Sequence, residues 1–208
     1  MNIDCTADFP VTDAECKKVT GRTLTQWFSV IDERDDLKSK RRDCINWIYE
    51  DVGMTNVWWP TTIWVEYERF KGIVNKKDGR IEGFNICATK TINAPPADVY
   101  AAWTTPALLR KWFGSKSKAT VENGGAFSDG DGNSGTFLRV REKKDLRFTW
   151  IQPGAEAPTQ VDVVFSDKGK NKTGLMLNHQ RIQNRNEADG LRRAWGECFD
   201  RLKSLLEE

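Results

Sequence analysis

The last fifty residues, 159–208, read TQVDVVFSDKGKNKTGLMLNHQRIQNRNEADGLRRAWGECFDRLKSLLEE. Val161, Val163 and Phe165 alternate with more polar neighbours, and Leu175, Leu177 and His179 repeat the pattern beyond the turn residues Asp167–Asn171. Alternation with a period of two on both sides of a turn predicts an antiparallel pair with one buried face. The spacing then changes. Leu191, Ala194, Trp195, Cys198, Phe199, Leu202, Leu205 and Leu206 follow an i, i+3, i+4, i+7 series, which predicts one long helix with a wide apolar stripe. That stripe needs a cover, and the sheet face is the only large one on offer. A single helix laid across a strongly curved sheet leaves space near the strand ends, so a cavity is expected there.

Toward the N-terminus, strand-like runs fall at 116–122, 125–128, 134–142 and 146–152. Gly124-Gly125, the SDGDGNSG stretch (128–135), Lys143–Asp145 and Pro153-Gly154 separate them with turn chemistry. Phe84–Ile92 reads as a further strand, and 95–105 and 106–113 as two short helices opened by prolines. Upstream, Gly72–Gly83 (GIVNKKDGRIEG) carries three glycines and a run of charges, which marks a connector. Residues 12–71 before it have helical periodicity. Thr12-x-x-Glu15 and Thr23-x-x-Gln26 read as helix starts, Gly21 and Gly53 as stops, and Pro60 as part of a first helical turn. Cys44, Ile45, Ile48, Tyr49 and Val52 form one apolar stripe, and Ile63, Tyr67 and Phe70 another. Two parts are expected: a helical module with its linker over 1–83, and an α+β domain over 84–208.

Composition narrows the function classes. Of 208 residues, 30% are charged and the formal net charge is only +2, so no strong field points to nucleic acid. The densest positive run, Lys38, Lys40, Arg41 and Arg42, is flanked by Asp35, Asp36 and Asp43 and reads as a solvated helix start. Five scattered cysteines without a CxxC pair read as reduced thiols. The start MNIDCTADFP lacks the basic and apolar features of a signal peptide, and the longest apolar run is five residues. A cytoplasmic location without membrane insertion is the expectation.

The order strand, two short helices, six strands, long helix resembles the helix-grip superfamily of birch-pollen allergens and lipid-transfer START domains. More narrowly, the chain resembles the family named after the C-terminal domain of the activator of the Hsp90 ATPase. The resemblance rests on Ile92-x-Ala94-Pro95, Val99-x-x-Ala102-Trp103-Thr104, Leu108–Phe113, Gly124-Gly125-x-Phe127 and Gly135-Thr136-Phe137, then on Leu146-x-Phe148-x-Trp150, Thr173-x-Leu175-x-Leu177-x-His179 and Trp195…Leu202. Residues 12–83 resemble a small helical domain of unknown function found ahead of such domains in bacterial proteins, through Thr20-Gly21-Arg22-Thr23, Trp27-Phe28, Trp58-Trp59 and Tyr67-Glu68. The resemblance implies a fold and brings no universal catalytic set.

Individual motifs point away from chemistry. Gly130-x-Gly132-x-x-Gly135 has the letters of a dinucleotide fingerprint, but a strand follows where a helix should open, so no helix N-terminus is there to hold a pyrophosphate. Asp129-x-Asp131-x-Asn133 imitates a calcium loop, yet Ser134 and Val140 stand where glycine and a bidentate glutamate belong. His179 is the only histidine, which removes every multi-histidine metal site. It has no identifiable acid or base partner, and no catalytic residue or cofactor is assigned. The aromatics instead suggest a binding cavity for a small apolar or amphipathic molecule, lined by Trp103, Trp112, Phe113, Phe127, Phe148, Trp150, Leu177, His179, Trp195 and Phe199. A protein-docking role is the alternative, favoured if Trp58-Trp59 form a surface patch. An enzyme of the same fold ranks behind both.

Overall fold

The computed structural model describes every residue except 51, 55, 57, 76 and 156. The elements run α1 (Asp13–Thr20), α2 (Leu24–Asp32), α3 (Arg41–Glu50), α4 (Trp58–Lys71), β1 (Phe84–Ile92), α5 (Pro96–Thr104) and α6 (Pro106–Trp112). Then come β2 (Lys118–Ala119), β3 (Ala126–Ser128), β4 (Ser134–Arg141), β5 (Asp145–Trp150), β6 (Thr159–Asp167), β7 (Thr173–Ile182) and α7 (Arg185–Glu207). By contacts the chain divides into a helical unit, Ala7–Phe84 with Gln183–Asn186, and a sheet unit, Met1–Thr6, Asn85–Ile182 and Glu187–Glu208.

In the helical unit the caps act as their chemistry demands. Thr12 accepts from the Glu15 amide, Gly21 closes α1 at a φ of 80°, and Thr23 with Gln26 forms a complete capping box on α2. Helix α4 begins two residues before Pro60, which still lies in the first turn, where no intrahelical bond needs its missing N–H. Cys16, Trp27, Ile31, Cys44, Ile48, Trp59, Ile63, Trp64 and Tyr67 build the core. Trp27 donates its indole N–H to Thr20, and Tyr67 its hydroxyl to Asp32. Two expected stripe members differ: Tyr49 and Phe70 are exposed, although Phe70 stacks on Phe28 at 5.2 Å.

The sheet unit is one seven-stranded sheet in the order β1-β7-β6-β5-β4-β3-β2, with the described pairings antiparallel. The alternation read from the sequence sets the faces. Val161, Val163, Phe165, Leu175, Leu177 and His179 are buried, whereas Met176 faces outward. A register shift between Phe137 and Arg139 bends β4, which keeps Phe137 buried and turns Leu138 out. The long run expected at 116–122 supplies only two strand residues, because Thr120–Gly125 close a turn through backbone bonds. On α7, Leu191, Ala194, Trp195, Cys198, Phe199 and Leu202 form the buried stripe.

Close approach explains Gly135. A Cβ there would fall 1.8 Å from the Thr149 carbonyl oxygen and 2.5 Å from the Phe127 ring, so β4 can pass only without a side chain. The glycine-rich stretch before it is a β3–β4 hairpin turn, with Gly130 and Gly132 at positive φ. Its carboxylates hold a cation of the chain's own. The Met1 ammonium donates to Asp129 at 2.8 Å and to Asp131 at 2.5 Å, while Asn133 bridges Asp129 and the Met1 carbonyl. Burial works against that ammonium, but Asp129 and Asp131 raise its pKa overall.

Candidate functional site

The rings expected to line a cavity largely fill it. Trp103, Trp112, Phe113, Trp150, Trp195 and Phe199 contact one another at centroid separations of 4.7 to 6.4 Å. Aromatic bodies of this size occupy the space that a curved sheet and a helix would otherwise leave. What remains is a recess lined by Trp103, Leu109, Phe113, Ala119, Phe127, Phe137 and Phe148. It encloses about 300 Å³ counted out to its mouth, but only about 20 Å³ of that has room for a water-sized body. A ligand site of several hundred cubic ångströms is therefore not preformed there.

Of the ten residues expected at the site, the recess brings together Trp103, Phe113, Phe127 and Phe148. Trp112, Trp150, Leu177, His179, Trp195 and Phe199 are buried in the packing behind it. Leu109, Ala119 and Phe137 belong to the wall and were not expected in it. Leu109 lies within the Leu108–Phe113 stretch and Phe137 within Gly135-Thr136-Phe137, so both belonged to motifs already recognised for the fold. Their facing depends on α6 and on the β4 bulge, which local periodicity does not specify.

His179 is fully buried and spoken for at both ring nitrogens. The Trp195 indole N–H donates to Nδ1 at 3.1 Å, so Nδ1 carries no proton. Nε2 then holds the ring hydrogen and donates it to the Thr159 hydroxyl at 2.7 Å, which in turn donates to the Trp150 carbonyl at 3.0 Å. Burial pushes the imidazole pKa down to about 3. The ring is a neutral structural link between α7, β7 and β6. It is not placed to take a proton from a substrate.

The outer sheet face carries a second polar cluster. Arg139 and Arg141 bind Asp145, and Arg147 binds Asp162 at 2.5 Å. Burial alone would raise the Asp145 pKa, but the two arginines outweigh it and the carboxylate stays ionised more readily than usual. The Asp145 carboxylate is held as an anion between two guanidinium groups, so it is not an acid poised for catalysis. In the helical unit, Arg41 of the basic run pairs with Glu68 at 2.7 Å and bonds the Gly83 carbonyl. Trp59 is buried and Trp58 half-buried beneath Arg185 at 4.1 Å, so this pair forms no exposed aromatic patch. Among the described residues no cluster of three His, Cys, Asp or Glu side chains could hold a metal, and no helix is long and apolar enough to cross a membrane.

A curved antiparallel sheet closed over one long C-terminal helix, with two short helices between β1 and β2, defines a helix-grip α+β protein. Residues 93–207 match the family described as Activator of Hsp90 ATPase homolog 1-like protein, more than half of the chain, and the chain belongs to that family. Among solved structures, CalU16 from Micromonospora echinospora is 24% identical with a TM-score of 0.54, covering 59% of this chain and 75% of its own. An HSP90 activator from Plasmodium falciparum is 23% identical with a TM-score of 0.53, covering 60% of this chain and 97% of its own. The Aha1 dimer from Colwellia psychrerythraea is 19% identical with a TM-score of 0.54, covering 60% and 96%. These likenesses establish the fold alone. No curated protein matches the chain significantly.

Proposed function

We propose that the sheet unit is a binding module that takes the apolar part of a small amphipathic molecule into the recess beneath α6. The observation that carries this reading is the wall itself: all seven lining residues are apolar and five of them are aromatic. Binding requires the recess to widen. Among the described residues, helix α6 is tied by the Trp112 indole donating to the Ala102 carbonyl and by Arg201 donating to the Trp112 carbonyl, each at 2.9 Å. An outward shift of this seven-residue helix breaks few bonds and admits a ring.

The test is titration with an environment-sensitive apolar dye, with an expected Kd in the micromolar range, about −8 kcal/mol. Ala119→Phe places a ring at the mouth from the two-residue strand β2 and should weaken binding at least tenfold with the unfolding midpoint unchanged. Equal binding by this variant would refute the site.

The small volume of the recess favours a second reading, in which it receives one apolar side chain of a protein partner. The Plasmodium neighbour is named an HSP90 activator, so stimulation of an Hsp90-type ATPase is the assay for this reading. No stimulation by the wild-type chain would set it aside.

A further inference from the structure

The sheet unit contains four tryptophans, and their indole N–H groups divide into two pairs. Trp112 donates to the Ala102 carbonyl and Trp195 to His179 Nδ1. Trp103 and Trp150 are equally buried, at 5% and 1% exposure, yet their Nε1 atoms have no hydrogen-bond partner. Buried indole donors are normally paired, and an unpaired one costs the desolvation of its N–H. One orphan lines the recess and the other packs against its wall. Trp103 is part of its wall. Trp150 lies directly behind, 5.7 Å from the Phe127 ring and 6.1 Å from Phe113, both of which line the recess.

No wall residue supplies a side-chain acceptor, because Leu109, Phe113, Ala119, Phe127, Phe137 and Phe148 carry none. The neighbouring rings offer only weak π acceptance: Phe165 and Phe199 meet the Trp103 ring edge-on at 6.2 and 6.4 Å. From this juxtaposition we infer that the recess selects ligands that carry a hydrogen-bond acceptor on an aromatic or aliphatic body, such as an aryl ketone, with the acceptor bound by the Trp103 indole N–H. Such a group restores the missing bond as its apolar body fills the recess. A plain hydrocarbon of the same shape leaves the donor orphaned and gains only burial. This inference rests on the recess being the binding site.

Two near-isosteric probes separate the ideas: acetophenone, which has a carbonyl acceptor, and isopropylbenzene, which has none. Binding is read by titration and by the Nε1–H resonances of the indoles in ¹H–¹⁵N spectra, with Trp103 assigned from the signal lost in Trp103→Phe. Acetophenone is expected to bind about tenfold more tightly, the order of one recovered hydrogen bond to a buried donor. It should also shift the Trp103 Nε1–H resonance downfield. Trp103→Phe keeps a ring and removes the donor, so it should bring the two probes to equal affinity, whatever the smaller ring does to the affinity they share. Trp150→Phe is the second variant; loss of the preference there instead of in Trp103→Phe would overturn the assignment to Trp103. Equal binding of both probes by the wild type overturns the inference and leaves the binding module standing. Binding of neither, with both resonances unmoved, overturns the binding module as well.

Discussion

Protonation of His179 should unfold the sheet unit, and the size of the effect follows from its surroundings. The imidazole is fully buried, neutral, and engaged at both nitrogens, with its pKa lowered by burial from 6.5 to about 3. The unfolded chain binds a proton near pH 6.5, whereas the folded chain resists it down to about pH 3. Between those values the unfolded state holds more protons, so stability rises with pH there. The stabilising contribution is complete above pH 6.5 and is lost as pH falls toward 3. The limiting slope is about 1.4 kcal/mol per pH unit, so about 2 kcal/mol should be gone at pH 5.

His179 is the only histidine, which leaves the interval from pH 6.5 to 5 nearly free of other titrations. Glu68 in the helical unit works in the opposite sense, because burial raises its pKa and protonation is easier in the folded state. Urea unfolding at several pH values, on the wild type and on His179→Gln, isolates the histidine because Glu68 contributes equally to both. The wild type should lose stability across the interval and the variant should not. In parallel, the imidazole ¹⁵N shifts should remain those of a neutral ring protonated at Nε2 down to pH 4. Parallel curves for the two proteins, or an imidazolium signal in the folded state at pH 5, would refute the reasoning.

Trp195→Ala removes a fully buried ring from the centre of the α7 stripe and the donor to His179, so a loss of about 3–5 kcal/mol is expected by chemical denaturation. A loss below about 1 kcal/mol would contradict its placement. Gly135→Ala sets a methyl group against the Thr149 carbonyl and the Phe127 ring; it should cost more than about 3 kcal/mol, and a near-neutral result would mean β4 does not pass so closely. Brief trypsin treatment should cut first at the exposed Lys77 or Arg80, and early cleavage within β4–β7 instead would place the accessible backbone elsewhere. With a thiol reagent, the exposed Cys5 and Cys87 should react in the folded protein while Cys16, Cys44 and Cys198 wait for unfolding, and five equal rates would refute this burial.

Much of the fold was legible because the signals that encode it are local. The limits of β1 and β6, Phe84–Ile92 and Thr159–Asp167, follow from alternation bounded by turn residues. Threonine caps and left-handed glycines set the ends of α1 and the start of α2 through bonds spanning three or four residues. The stripe from Leu191 to Leu202 identified the helix that closes the sheet. Shorter elements carried weaker signals, and 116–122 read as a strand because its alternation did not register the turn bonds that follow Ala119.

The sequence by itself determined the order and type of the elements, which face of each strand is apolar, and that a sheet must close over the last helix. Tertiary structure alone decided whether space remained between them. That outcome depends on how six large rings from α5, α6, β5 and α7 pack against one another, and their summed volume leaves a recess at one margin instead of an enclosed chamber. It also decided the role of His179. The alternation that turns this residue inward is local, but the partners that hold it neutral, Thr159 and Trp195, lie 20 and 16 residues away on other elements. A residue's facing follows from its immediate neighbours in the chain, whereas its hydrogen bonds and the volume around it follow from residues that only the folded chain brings within reach.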